Sequence, residues 1–218
     1  MRDSFRTNVL AFVALSMGAC GTNESRTEGG NLTVVSPPAS VELANDSAEL
    51  TKDSAAELGP RLALIENAIG RWRQAANLAQ AKSAAEEARN LVVGAAGSYY
   101  GDADRDGVIR GESKSGLLPG LRGEDGVAQP GDGDCVVRDI LGGSWNDPSK
   151  RWSVLDAAIK SWTPSRNTFP ALPSHPQRIV GWATLALSTN SLDTAKEYGG
   201  HAQLHIDVST KAFTQCGR

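Results

Sequence analysis

Apolar residues change their spacing along this chain in a way that divides it into three stretches. From Val9 to Ala19 eleven uncharged, mostly apolar residues run together between a short basic start, Arg2 and Arg6, and Cys20. From Gly21 to about Ser54 apolar residues are scattered among Gly, Thr, Ser, Asn and Pro with no helical or strand period. From Pro60 onward they fall at steps of three and four, the spacing of one face of a helix. Leu62, Ile65, Ile69, Trp72 and Ala76 form a first stripe, with Gly59-Pro60 suited to its first turn. Ala81, Ala84, Ala88, Leu91 and Ala95 repeat it, as the continuation of one bent helix or as the second arm of a hairpin. A third stripe, Trp152, Leu155, Ile159 and Trp162, follows the start signal Asp147-Pro148. A fourth begins at Pro176 with Ile179, Trp182, Ala183 and Ala186, and a fifth runs from about Asp193 to Phe213.

Strand signals are nearly absent, and Pro164, Pro170, Pro173 and Pro176 break the segment between the third and fourth stripes. The pattern predicts an all-α fold, a helical bundle of four to five helices with a long irregular acidic insertion at roughly Gly101 to Gly133. Trp72, Trp152, Trp162 and Trp182 lie on the stripes, and the area each buries marks them as core anchors rather than a ligand cage.

The first stretch reads as a secretory signal peptide, residues 1–19, too short for a membrane-spanning helix. Met17-Gly18-Ala19-Cys20 resembles a bacterial lipobox, with Met17 where Leu is usual. The resemblance implies cleavage before Cys20, acylation of that residue, and a lipid-anchored protein of the cell envelope whose first partner is the membrane. Two or three acyl chains anchor stably, since each buried methylene contributes about 0.8 kcal/mol. Ordinary cleavage after Ala19, giving a secreted protein, is the alternative; both export the chain. Residues 20–54 then comprise the anchored Cys and a flexible tether, and residues 55–218 the helical domain.

Composition narrows the function classes. The 218 residues carry 22 Lys+Arg against 25 Asp+Glu, a net charge of −3, and 6% aromatics. That balance excludes a broadly cationic nucleic-acid binder, which needs a basic excess to neutralise phosphates. Cleavage after Ala19 removes Arg2, Arg6 and Asp3 and leaves 20 basic against 24 acidic residues, a net of −4. The stretch from Gly101 to Asp134 alone holds eight acidic and four basic residues, also a net of −4, so the insertion accounts for the acidity of the whole mature chain.

Within it, Asp102, Asp104 and Asp106 alternate ahead of Gly107, Val108 and Ile109. Alternate residues of a tight turn aim carboxylates inward, and a hard cation of calcium's size takes six to eight oxygens. The run resembles the first eight residues of an EF-hand or dockerin-type calcium loop. The resemblance implies calcium held by Asp102, Asp104 and Asp106, a backbone carbonyl from Val108, and Ile109 packed inward. The twelfth place, a bidentate Glu in that family, is Ser113 here, and Glu112 falls one place early. Either Glu112 reaches the ion or one of Glu124, Asp125, Asp132 and Asp134 completes the site; the competing reading is an acidic surface turn that binds nothing.

Glu197, His201 and His205 recur every four residues on the last helix and so stack on one side of it. Neighbours can share a transition metal, but Glu197 and His205 lie about 12 Å apart along the axis, so a straight helix does not allow all three to do so. A periplasmic transition-metal or haem binder using His201 and His205 is therefore one alternative function. Imidazoles at the core boundary, hydrogen-bonded to a neighbouring carboxylate, are the commoner outcome. His175, before Pro176, reads as a helix cap. Gly199-Gly200 weakens the last helix unless another helix packs closely there. Cys135 and Cys216 remain after acylation and, in an exported protein, read as a disulfide closing 82 residues, worth about 4 to 5 kcal/mol on the chain-entropy model. No Gly-x-Ser-x-Gly elbow, phosphate-cradling loop, haem-attachment or dinucleotide motif occurs, so an enzyme would need a dispersed site. The leading expectation is an exported helical binding or structural protein with a calcium-stabilised acidic loop.

Overall fold

The computed structural model describes residues 54–145, 147–169 and 172–215; the signal segment, Cys20, the tether up to residue 53 and Cys216 lie outside them. Five long helices follow in chain order: α1 (Ser54–Gln74), α2 (Leu78–Val93), α3 (Pro148–Ser161), α4 (His175–Ser188) and α5 (Leu192–Gln215). Among the described residues there is no strand, and the fold is an all-α helical bundle.

The first two stripes form a hairpin, not a bent helix. Asn77 accepts from the Gln80 N–H at 2.9 Å while the Gln80 side chain accepts from the Ala76 N–H at 3.0 Å, so α2 starts with reciprocal capping. Helix α1 begins six residues before Pro60, which sits inside it, and its buried stripe ends at Ala75, Ala76 being exposed. Ala95 likewise falls past the end of α2 and is exposed. Asp147 caps α3, with Pro148 in its first turn, as the start signal implies. At α4 the cap is Ser174, whose hydroxyl accepts from the Gln177 N–H at 3.3 Å. His175 is the first helical residue instead of the cap, because the shorter hydroxyl reaches the orphan amides.

Helix α1 packs on α2 and α5, α2 on α4, and α4 on α5, which closes a four-helix core. Helix α3 stands outside it, against α4 and the insertion. Trp72, Trp152 and Trp182 are buried, and Trp162 packs partly buried on the core. Trp162, Phe169, Trp182 and Tyr198 meet one another at ring-centroid distances of 4.8 to 6.2 Å, mostly edge to face, so these rings fill the space between α3, α4 and α5 themselves. Gly199 gives the close approach of α5 to α1: a Cβ there would lie 3.0 Å from Arg73 Cγ and 3.3 Å from the Trp72 ring. The Trp72 indole N–H donates to the Ala195 carbonyl at 2.7 Å at the same crossing.

Residues 94–129 form the irregular insertion, but it is not a surface appendage. Leu117, Leu118, Val127 and Ala128 are buried in the common core. The Leu117 and Leu118 N–H groups donate to the Leu91 and Val92 carbonyls at 3.1 Å each, satisfying the last turn of α2 from outside the helix. The two backbones touch where side chains are absent. Gly94 takes φ +62°, and a Cβ on it would collide with the Gly116 nitrogen. A 3-10 turn (Pro130–Asp132) and a π turn (Val136–Leu141) lead on toward α3.

Candidate functional site

Helix α2 is buried on several sides over its last three turns, and among Ala88, Leu91, Val92 and Val93 it carries three buried polar residues, Glu86, Arg89 and Asn90. Asn90 closes the neck of the acidic loop. Its amide nitrogen donates to the Gly101 and Arg110 carbonyls at 3.1 and 2.7 Å, and its oxygen accepts from the Gly101 N–H at 3.1 Å. One turn earlier Glu86, fully buried, takes the loop amides: Ala103 and Asp104 N–H donate to Oε2 at 2.5 and 3.0 Å, and Arg110 N–H to Oε1 at 3.0 Å. Three backbone donors give this buried carboxylate hydrogen-bond partners in the interior.

Between these anchors the loop turns back through left-handed Arg105, φ +64°, and Gly107, φ +89°, both exposed. Asp102 accepts from the Asp106 and Gly107 N–H groups at 3.2 and 2.9 Å, and Asp104 from the Asp106 N–H at 3.1 Å. Carboxylate oxygens of Glu86, Asp102 and Asp104 come within 4.8 Å of one another. Burial, with the Glu86 and Asp106 charges nearby, raises the Asp104 carboxyl above its ordinary range against the lowering pull of the Asp106 amide and Arg110.

The remaining expected ligands go elsewhere. Asp106 turns to Arg110, whose Nη1 donates to Oδ2 at 2.6 Å, and that hydrogen bond, with the Val108 amide, lowers its carboxyl. Val108 is 51% exposed, and Ile109, expected to pack inward, is 45% exposed because Glu86 and Asn90 already occupy the inner side of the loop. Glu112 is exposed, and at the twelfth place Ser113 accepts from Arg61 at 3.1 Å. Glu124 accepts from the Arg122 N–H, Asp132 from the Gln129 N–H, and Asp125 and Asp134 are exposed. The third carboxylate thus comes from before the loop, not after it. Glu86 carried no distinct signal in the sequence, where it stands beside Glu87, Arg89 and Asn90 as one of several polar residues off the alanine stripe.

The three residues of α5 have different partners. His201 stacks on Trp182, with ring centroids 4.3 Å apart and planes at 15°. Its Nε2 lies 2.9 Å from the Asn167 amide nitrogen and 4.0 Å from Glu197, which itself accepts from Asn167 at 3.2 Å. His205 meets His175 instead, Nδ1 to Nδ1 at 3.1 Å. Among the described residues, Glu86, Asp102 and Asp104 form the group of three such side chains placed to share one ion; the α5 residues form none. A shallow polar recess between α1 and α5, lined by Glu66, Asn67, Gly70, Arg71, Arg73 and Asp207 among others, includes neither His201 nor Glu197. Comparison with models of protein families, with curated proteins and with solved structures finds no match to this chain.

Proposed function

We propose that this is an exported, lipid-anchored helical protein of binding or structural type whose acidic loop is fixed by calcium. The observation that carries the calcium part is the convergence of Glu86, Asp102 and Asp104 within 4.8 Å. Like charges that close oppose one another by a few kcal/mol at the effective dielectric of a protein surface. A divalent cation reverses the sign of that term. Two loop carboxylates, one buried carboxylate and the water around an open loop suit calcium, a hard ion of flexible geometry, better than zinc, which prefers nitrogen and sulfur. With no bidentate Glu at the twelfth place, the affinity expected is that of extracellular modules, a dissociation constant of about 10⁻⁴ to 10⁻³ M.

Titration calorimetry and thermal unfolding of residues 20–218 with calcium test this reading. Saturable heat and a raised Tm are expected, both lost in Asp104→Ala and Glu86→Gln. No heat and no shift, with Asp104→Ala behaving like the parent, removes calcium from the account. The anchor is tested by intact-mass analysis of membrane-fractionated protein: a diacylglycerol adduct on Cys20, absent in Cys20→Ala, is expected. A disulfide from Cys135 to Cys216 belongs to the same reading of an exported chain; a non-reduced peptide map that links Cys135 to any other residue overturns it.

A further inference from the structure

We infer that His175 and His205 form a proton-operated latch that ties the start of α4 to the middle of α5, closed when both imidazoles are neutral and released by acid. The pair lies outside the acidic loop, and the inference does not rest on the calcium reading. The two Nδ1 atoms are 3.1 Å apart and the ring centroids 5.2 Å apart, across 30 residues of chain. A hydrogen bond between two imidazole nitrogens needs one N–H and one lone pair. Protonating the accepting Nδ1 sets N–H against N–H and breaks the contact.

The surroundings oppose the added charge. Arg178 projects from α4, its Nε donating to the Leu172 carbonyl at 2.6 Å, a neutral acceptor that leaves the guanidinium charge uncancelled. His201 adds a third imidazole one turn earlier on α5. From the π turn, Asp139 is the carboxylate that acts on His175, but Arg138 already engages both its oxygens at 2.9 and 2.7 Å. Burial first, then His175, Arg178 and His201, push His205 down to about 3; burial and Arg178 also lower His175, against the pull of Asp139. Both rings are therefore neutral where free histidine begins to charge.

The latch sits where its release would be felt. Ser174, the residue before His175, donates its hydroxyl to the Ile140 carbonyl at 2.6 Å. The end of the π turn presses on the same cap: a Cβ on Gly142 would lie 2.6 Å from the Ser174 nitrogen. Freeing His175 loosens one corner made of the π turn, the α4 cap and α5, while the α1–α2 hairpin stays packed.

Two measurements on the full domain test this. In the parent protein, NMR titration of the imidazole carbon-bound protons is expected to show both rings titrating below the ordinary histidine value of about 6.5, with the two coupled. Hydrogen exchange at pH 5 against pH 7, corrected for the intrinsic rate, is expected to lose protection by at least about tenfold, the equivalent of one pKa unit, at the π turn and first turn of α4, but not in α2. His175→Gln and His205→Gln are each expected to abolish that local loss. Ordinary, independent titration, a loss spread evenly over all helices, or an unchanged loss in the double variant overturns the latch; the titration of the parent decides even if a variant fails to fold.

Discussion

Asp104 is the residue whose replacement separates the readings of the acidic loop. Its carboxyl is raised because burial and the neighbouring Glu86 and Asp106 charges disfavour ionisation. A group whose folded pKa lies above its unfolded one detracts from stability while it is charged, and recovers as pH falls through the folded value. Asp104→Asn keeps an oxygen for the Asp106 N–H yet removes the charge. We expect it to raise the Tm of the calcium-free protein and to erase the calcium-dependent rise, two opposite signs from one substitution, read by thermal unfolding in chelator and in excess calcium. An acidic turn that binds nothing gives the first effect only. The carboxylates at 102 and 104 were legible from alternation alone, because the spacing of a tight turn is local, but the same alternation also offered Asp106, which Arg110 takes instead. Glu86 and Asn90 were not legible, since their role depends on a loop that returns to α2 only after the helix has ended.

At the scale of the element, the stripes of α3, α4 and α5 and the Asp147 cap of α3 were legible because they rest on neighbours in sequence, whereas the α4 cap fell one residue earlier than expected, on Ser174 and not His175. The hairpin turn was ambiguous: alanine stripes look alike whether a helix bends or reverses, and what decides is the Asn77 and Gln80 capping pair. Glycine substitutions separate propensity from packing within these helices. A Cβ added at Gly200 in α5 or Gly70 in α1 would meet nothing within 4 Å, so Gly200→Ala and Gly70→Ala should each stabilise by about 0.5 to 1 kcal/mol in urea unfolding. Gly199→Ala meets Trp72 and Arg73 and should gain less than Gly200→Ala or lose stability. The insertion behaves as core where Leu117 is concerned. Leu117→Ala should cost about 2 to 5 kcal/mol, the cost of truncating a buried leucine in a helix, although no helix contains it.

For the molecule as a whole, acid acts in two stages. Histidines held neutral bind fewer protons folded than unfolded, so their contribution is intact above about 6.5 and declines as pH falls toward their folded values. Asp106, Asp139 and Asp156 are lowered by hydrogen bonds from Arg110, Arg138 and Lys160, and Asp147 by Ser149; their contribution is present above about 3.9 and is lost below it. Urea unfolding across pH 7 to 3 should therefore show a first decline that disappears in the double variant His175→Gln/His205→Gln, and a second, below about pH 4, that remains.

The way the insertion finishes α2 also bears on the order of events as the chain is made. The Val92 carbonyl waits for the Leu118 amide, the Leu91 carbonyl adds the Leu117 amide to the Arg61 guanidinium of α1, and Glu86 and Asn90 wait for residues 101 to 110. A growing chain that has produced only α1 and α2 holds a hairpin with polar groups still in water and no lid to cover Val92 and Val93. Such a hairpin has no reason to commit early. A chain stopped short of Ala128 lacks this closure as well as α4 and α5, against which α1 and α2 pack, and should be cut by proteases within α1 and α2 themselves.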